Sequence, residues 1–199
     1  LVFIPLRRDQ LLPWLAAGKG DIAAASLTIT PEKRKLVDFT AAGMSDVKEV
    51  VVTGPASPKI ASLDDLSGEQ VFVRKSSSYH ESLVALNGKF AAEGKPPVLI
   101  KDAPETLEDE DLLEMLNSGL VPLVVVNKYL ADFWKQIFPQ LIVHDTVAVR
   151  TGGEIAWAIR KDSPQLKAAL DNFATHNKVG TSMGNQLLTR YLKNTKYVK

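Results

Sequence analysis

The chain has 199 residues, of which 45% are hydrophobic, so it is long enough to bury a sizeable core in one large or two small domains. The formal net charge is +1, from 24 basic and 23 acidic residues, whereas a nucleic-acid-binding protein usually carries a strong basic excess. The sequence contains no cysteine, which excludes a disulfide framework and a thiolate metal site. No apolar run of the sequence approaches the length of a membrane-spanning helix.

The first six residues, LVFIPL, are nearly all apolar and predict the interior of a core strand. They lack the basic region and the cleavage site of a signal peptide. We therefore expect a strand and a helix to precede Leu1 in a longer protein, and the N-terminal part of the fold to be incomplete without them. On this hypothesis an apolar patch is exposed beside the first strand.

Helices and strands alternate along the rest of the chain, which predicts an α/β fold with mainly parallel sheets. Glycines and prolines end most of the elements, and hydroxyl or amide residues stand at the helix starts. With their capping residues, the predicted helices cover residues 9–17, 30–36, 78–93, 106–117, 127–138, 163–176 and 181–192. The predicted strands cover residues 21–27, 37–39, 47–52, 71–74, 98–100, 123–126, 141–143, 146–149 and 155–160.

The most informative segment, residues 20–40, reads GDIAAASLTITPEKRKLVDFT. A strand of small apolar residues runs into Ser26 and Thr28, and Thr30 is placed to cap the short helix that Pro31 begins. These hydroxyls and the positive end of the helix meet at the carboxyl end of a strand, which is where open α/β sheets bind ligands. The pattern therefore predicts Ser26 and Thr28 as ligand-binding residues.

The same segment resembles the bacterial family 3 solute-binding proteins. Their pattern here is Gly-x-Asp with Ala or Ile, a strand of small residues, Thr-Ile-Thr-x-Glu-Arg, and Val-Asp-Phe with Ser or Thr. The resemblance implies a two-lobed periplasmic binding protein-like fold of type II, with the ligand cleft between two lobes that the chain connects twice. It places the first lobe at residues 1–52 and 149–199 and the second at residues 53–148.

The resemblance also assigns a ligand contact in the first lobe. Lys33 stands where an arginine clamps the α-carboxylate of the ligand in amino-acid-binding members, although a lysine cannot form the bidentate fork of an arginine. The alternative is that Lys33, Arg34 and Lys35 form a solvated helix face.

In the second lobe, Ser76, Ser77 and Ser78 align with the Gly-Thr-Thr turn of the family, which presents backbone N–H groups to an anion. Ser78 is the expected helix cap, which leaves Ser76 and Ser77 for the ligand, and Arg74 adds positive potential. Asn127 aligns with the aspartate that pairs with the ligand's α-amino group. Because asparagine is uncharged, it argues against a free amino acid, whose ammonium would lose its counter-ion. The alternative for Asn127 is a helix cap.

The remaining candidate residues do not predict chemistry. His80, His144 and His176 are spread along the chain and share no metal-ligand spacing. The sequence offers no convincing acid and base pair. We therefore expect no catalytic residue, no metal and no cofactor.

Three further stretches resemble the N-terminal domain of membrane-bound lytic transglycosylase F-type proteins. They are RDQLLP at residues 8–13, VRKSSSYHESL at residues 73–83, and residues 180–194 with GTS, GN and RYLKN. In that group a solute-binding-like module precedes a peptidoglycan-cleaving domain. The resemblance implies a periplasmic sensor, in a parent protein attached to the outer membrane. Its ligand would be a small anionic or peptide-like cell-wall fragment such as a muropeptide, and it would regulate the transglycosylase domain.

Two alternatives stay open at this point. One is the receptor of an ABC transporter for an amino acid or another polar solute, which a neighbouring permease gene would favour. The other is a dehydratase-like enzyme on the same fold, which would need a cleft acid or base with a perturbed pKa.

Overall fold

The structure is a computed structural model that describes residues 2–198, apart from the side chain of Tyr197. The helices are α1 (Arg8–Ala16), α2 (Pro31–Leu36), α3 (Ser78–Ala92), α4 (Asp109–Asn117), α5 (Lys128–Trp134), α6 (Pro164–Asn177) and α7 (Ser182–Leu192). The strands are β1 (Ile22–Thr28), β2 (Asp38–Phe39), β3 (Met44–Thr53), β4 (Gln70–Arg74), β5 (Leu99–Ala103), β6 (Leu123–Asn127) and β7 (Ile142–Ile159). Short 3₁₀ turns occur at Leu63–Leu66 and Thr195–Tyr197. The predicted α/β class is confirmed.

The chain forms two compact units. Unit 1 contains the residues up to Asp46 together with Gly152–Tyr191, and unit 2 contains Val47–Thr151 together with the residues from Leu192 onward. The chain passes from unit 1 to unit 2 within β3 and returns within β7. The sequence places the first crossing slightly later and the second slightly earlier, and it groups the residues after Tyr191 with the first lobe, whereas the structure groups them with unit 2.

Unit 1 is built on the C-terminal part of β7. Both β1 and β2 pair antiparallel with it, and β1 contains an irregularity between Ala23 and Leu27. Ser26 lies in that irregularity with a φ of 50°, a left-handed conformation that a residue with a side chain rarely adopts. The buried apolar residues of this unit form one cluster: Leu12, Leu15, Ala23, Val37, Phe39, Ala156 and Ala158.

Unit 2 contains a mixed sheet in which β4 is parallel to both β5 and β6, while β6 is antiparallel to β3. Every residue of β6 is buried, as the continuous apolar sequence LVVVN predicts for a strand covered on both faces. Helices α3 and α4 contribute Leu83, Phe90 and Leu113 to the same core. Because parallel strands end at a common edge, the segments that follow β4, β5 and β6 meet at the carboxyl edge of this sheet.

The N-terminal residues differ from the sequence prediction. Residues 2–7 form neither a strand nor a helix, and Val2 and Phe3 are 84% and 86% exposed. Leu1, which belongs to the predicted strand, lies outside the described residues. The predicted core strand is therefore wrong for residues 2–6, and Val2, Phe3 and Ile4 are exposed to solvent.

The bounds of other elements also differ from the sequence prediction. β7 is one strand from Ile142 to Ile159, and it includes Gly152 and Gly153, where the sequence predicts a break between three shorter strands. α5 ends at Trp134, short of the predicted end at Phe138. α4 begins at Asp109 instead of near Thr106, and the carboxylate of Asp111 accepts a hydrogen bond from the backbone N–H of Glu108 in its first turn.

Within the described part of the chain, none of the helices combines the length and the apolar character needed to cross a membrane.

Candidate ligand-binding site

Lys33 in unit 1 is held by the turn that the sequence predicts. Thr30 caps α2, and its Oγ1 accepts a hydrogen bond of 3.2 Å from the backbone N–H of Lys33. The Lys33 ammonium donates to the carbonyl oxygen of Thr28 at 3.3 Å. Only 7% of Lys33 is exposed, whereas Arg34 and Lys35 beside it are exposed. The solvated-face alternative is therefore wrong for Lys33, because its burial sets it apart from its basic neighbours.

The other two candidates of unit 1 differ from each other. Thr28 is the last residue of β1 and is buried, and its carbonyl oxygen is the acceptor for Lys33. Ser26 is exposed on the irregular part of β1. Thr28, Thr30 and Lys33 thus form one hydrogen-bonded group at the carboxyl end of β1, and Ser26 is outside it.

Ser77 caps α3, one residue before the cap that the sequence predicts. Its Oγ accepts a hydrogen bond of 3.2 Å from the backbone N–H of His80 and donates to the carbonyl oxygen of Arg74 at 2.6 Å. Ser78 is the first residue of the helix and is buried, and its carbonyl accepts from the hydroxyl of Ser82 at 3.0 Å. The predicted cap at Ser78 is wrong, and Ser76 is the serine of this turn that capping does not use.

Ser76 is bound by a residue that the sequence analysis missed. Both oxygens of the Glu105 carboxylate accept from it: the backbone N–H lies 2.9 Å from Oε1, and the hydroxyl lies 2.6 Å from Oε2. Glu105 lies in the segment between β5 and α4. The local sequence gives no signal for this contact, because the two residues are 29 positions apart and meet only at the edge of the sheet.

Arg74 does not add free positive potential to this turn, contrary to the sequence prediction. It is buried, its Nη2 donates to Asp109 at 2.5 Å, and its Nη1 donates to the carbonyl oxygen of Leu107 at 2.6 Å. The hydroxyl of Tyr79 donates to the second oxygen of Asp109 at 2.9 Å. Burial, and next the charge of Asp109, raise the pKa of Tyr79 well above its usual value, so the phenol stays protonated and remains a donor.

Asn127, at the end of β6, is 2% exposed. It stands at the N-cap position of α5 but makes no capping hydrogen bond with its side chain, so the cap alternative is wrong. Its backbone N–H donates to the hydroxyl oxygen of Tyr79 at 3.2 Å. Among the described residues, its Oδ1 has no hydrogen-bond partner.

Glu49 is a second acidic residue that the sequence analysis missed. It pairs directly with Asn127 across β3 and β6, so the two side chains share a face of the sheet, and it is 1% exposed. Its Oε2 accepts from the hydroxyl of Ser82 at 2.5 Å, and the Nε of Arg150 lies 3.4 Å from the same oxygen. Its Oε1 has no hydrogen-bond partner within the described residues. The alternation of the predicted strand, which places Val47, Glu49 and Val51 on one face, was a usable signal.

The histidines make separate contacts in the structure. The Nε2 of His144 lies 2.9 Å from the hydroxyl of Thr53, and burial lowers the pKa of His144. His176 contacts the carbonyl oxygen of Asn172, its own helix neighbour. In residues 2–198, His, Asp and Glu side chains form no group of three or more that could hold a metal ion.

Two α/β units, each with hydroxyl-bearing turns at the carboxyl ends of its strands, define a solute-binding module as the class of this protein. The sequence model of the bacterial extracellular solute-binding proteins, family 3, matches residues 1–193. The chain belongs to this family, and the resemblance drawn from residues 20–40 is confirmed.

Curated relatives are named membrane-bound lytic murein transglycosylase F. The protein from Maricaulis maris is 32% identical over 151 residues, covering 75% of this chain and 31% of the relative. The protein from Methylobacillus flagellatus is 28% identical over 185 residues, covering 92% of this chain and 37% of the relative. The chain therefore spans about a third of the length of these relatives, and the region it matches is a solute-binding module and not a catalytic domain.

Solved structures of solute-binding proteins share the fold. The substrate-binding protein of an amino acid ABC transporter has a TM-score of 0.77 and 23% identity, covering 98% of this chain and 80% of that chain. A putative binding component of an ABC transporter from Wolinella succinogenes, complexed with lysine, has a TM-score of 0.78 and 19% identity, covering 99% and 80%. The predicted type II periplasmic binding protein fold is confirmed.

Proposed function

We propose that the chain is a periplasmic sensor module that binds a small anionic or peptide-like cell-wall fragment and regulates a lytic transglycosylase domain of the same protein. The observation that carries the proposal is the match to transglycosylase F proteins, which covers up to 92% of this chain but only about a third of each relative. A solute-binding module joined to an enzyme domain allows a ligand to regulate that enzyme. Relatives named membrane-bound favour a periplasmic setting beside the outer membrane.

The proposed ligand contacts are Ser26, Thr28 and Lys33 in unit 1 and Ser76, Ser77, Ser78 and Asn127 in unit 2. Lys33 supplies a buried positive charge for an acidic group of the ligand. Asn127 supplies an uncharged oxygen, which suits the amide N–H of a peptide better than a free ammonium group. Lys33 therefore favours a fragment with an acidic group, and Asn127 favours a fragment with a peptide N–H.

We propose that the ligand acts by shifting the population of conformations of the module, since it stabilises only the conformation that binds it. The segment that follows α7 would carry this change to the next domain. In the full-length protein, glycan cleavage is then expected to change when the fragment is added, and Lys33→Ala is expected to abolish that response without changing cleavage in the absence of the fragment.

A receptor for an amino acid ABC transporter is the second candidate. It is favoured by the fold neighbours, which include the substrate-binding protein of such a transporter and a binding component complexed with lysine. Asn127, which carries no charge, argues against this candidate.

A thermal-shift screen distinguishes the two candidates, because a ligand that binds only the native state raises the melting temperature. Defined muropeptides and free amino acids are tested separately, with Lys35→Ala as a control for the loss of one surface charge from the same helix. We expect a shift with a muropeptide and none with free amino acids. A clear shift with a single free amino acid, and none with muropeptides, would replace the sensor proposal with the transport receptor.

A further inference from the structure

The Ser76 donors of unit 2 are already taken by a carboxylate of the protein itself. Glu105 accepts from both the backbone N–H and the hydroxyl of Ser76, at 2.9 and 2.6 Å. The hydroxyl of Ser77 caps α3 and donates to the carbonyl oxygen of Arg74, so an anionic group could accept from it only by displacing that contact. A carboxylate or phosphate of a ligand could reach the N–H of Ser76 only by displacing Glu105.

The positive charge of Arg74 beside this turn does not neutralise the carboxylate of Glu105. Arg74 is buried and ion-paired with Asp109, and the carboxylate of Glu108 lies 3.9 Å from Nη1 of the same guanidinium. Lys75 is exposed. An incoming anion would therefore meet the charge of Glu105 at close range, and like charges at such a distance repel strongly when they are partly removed from water.

The neighbouring strand end is rich in hydrogen-bond acceptors. Asn127 and Glu49 are direct partners across β3 and β6, and each has one buried oxygen that lacks a donor within the described residues. An unmatched buried acceptor is costly, so native proteins usually supply a donor to it. Glu105 also retains capacity, because a carboxylate can accept about four hydrogen bonds and Ser76 provides two.

We infer that Glu105 is a specificity-determining residue, which closes the turn at Ser76–Ser78 to anionic groups and offers its carboxylate to a nitrogen donor of the ligand. This inference rests on the proposed function for the role of the turn in ligand binding, and it narrows the chemical class of the ligand group that meets this turn. The group of the ligand that meets the turn at Ser76–Ser78 is then a nitrogen donor, such as the N–H of a peptide, and not an acidic group.

The test is a titration of the protein with small ions, in which the NMR signal of the Ser76 amide reports binding. The probes are acetate, inorganic phosphate and methylammonium, applied to the wild type, to Glu105→Ala and Glu105→Gln, and to Glu114→Gln. Glu114 is an exposed residue of α4, so its substitution removes the same charge without touching the turn.

In the wild type and in Glu114→Gln we expect methylammonium to shift the Ser76 amide signal, and acetate and phosphate to leave it unchanged. In Glu105→Ala we expect phosphate to bind at Ser76 at least about tenfold more tightly than in the wild type, and the methylammonium response to disappear. Glu105→Gln keeps an acceptor for Ser76 but no charge, so it is expected to lose the methylammonium response alone.

The inference is overturned if phosphate saturates the Ser76 signal of the wild type, or if Glu105→Ala gains no anion binding. If Glu105→Ala does not fold, the methylammonium response of Glu105→Gln is the test. Loss of this response supports the inference, and an unchanged response overturns it. These ion titrations do not depend on the natural ligand. A wild type that rejects anions but binds no muropeptide would therefore refute the proposed function and leave the role of Glu105 intact.

Discussion

The two units of the chain bury apolar side chains to very different degrees. In unit 2, one continuous apolar core joins the sheet to α3 and α4, and a buried polar network of Arg74, Asp109 and Tyr79 lies beside it. In unit 1, the buried cluster is much smaller, and α6 and α7 carry large apolar side chains that remain exposed, namely Phe173, Met183, Leu187 and Tyr191. Because burial of apolar area is the main favourable term in folding, we expect unit 2 to carry most of the stability.

The contrast has a functional consequence. Asn127 of unit 2 ends β6, a strand that is buried throughout, whereas Lys33 is held by a six-residue helix in the smaller unit. A well-packed site changes little between free and bound forms, and a site with fewer packed neighbours responds more readily. We therefore expect ligand binding to order unit 1 more than unit 2.

The largest expected effect comes from the buried ion pair of unit 2. Asp109→Asn removes the buried, hydrogen-bonded partner of Arg74, leaves only the more exposed Glu108 near it, and should lower the free energy of unfolding by about 3–5 kcal/mol. Asp132→Asn, which removes an exposed partner of Lys128, is the matched control and should cost about 1 kcal/mol or less. Urea unfolding measures both. Equal losses would mean that the network of unit 2 contributes no more than a surface pair.

A pair of leucine substitutions tests whether α7 of unit 1 is packed as well as α4 of unit 2. Leu113→Ala in α4 removes a fully buried side chain of unit 2 and should cost about 2–5 kcal/mol. Leu187→Ala in α7 of unit 1 removes an exposed side chain and should cost about 0.5 kcal/mol or less. The comparison of the two units fails if Leu187→Ala is as destabilising as Leu113→Ala in the same urea series.

Ligand affinity is the next test, since it concerns unit 1. Lys33→Ala should weaken binding of an acidic fragment by about 1.5–3 kcal/mol, the range for a hydrogen bond to a charged group. Lys35→Ala removes an exposed lysine that pairs with Glu32 and should leave the affinity unchanged. Calorimetry on both variants measures the difference, and circular dichroism checks that α2 survives. Unchanged affinity in Lys33→Ala would remove this residue from the proposed site.

The smallest effect concerns the attachment of α6 to unit 1. Partial burial of Asp171 opposes ionisation, but its contacts with Lys167 and with the backbone N–H of Ala41 outweigh it and lower the pKa of Asp171. A carboxyl group with a lowered pKa in the folded state adds stability above its unfolded value of about 4, and that contribution is lost as the pH falls through the folded pKa. The unfolding of Asp171→Asn should therefore depend less on pH below about 4 than that of the wild type, by about 1 kcal/mol or less. Identical pH profiles would show that this contact does not anchor the helix.

Much of the fold could be predicted from the sequence because it is encoded locally. Thr30 and Pro31 start α2 as predicted, and the apolar run of β6 is buried throughout. The single strand β7 could not be predicted, because Gly152 and Gly153 are typical of a turn; Gly152 has a φ of 67°, yet the strand continues on both sides of it. The cap of α3 lies one residue earlier than predicted, because all three serines of the turn are chemically able to cap and only the folded backbone shows that Ser77 does so.

The sequence by itself determined the α/β class, the family, and the positions of Lys33 in the short helix α2, of Ser76 just after β4 and of Asn127 at the end of β6. These follow from periodicity and from motifs that are contiguous in the chain. Only the tertiary structure decided what surrounds those residues. It buried Lys33, neutralised Arg74 with Asp109, and placed Glu105 on Ser76 and Glu49 opposite Asn127. Each of these facts depends on residues far apart in the chain, because side chains at the edge of a sheet come together only after the strands have paired.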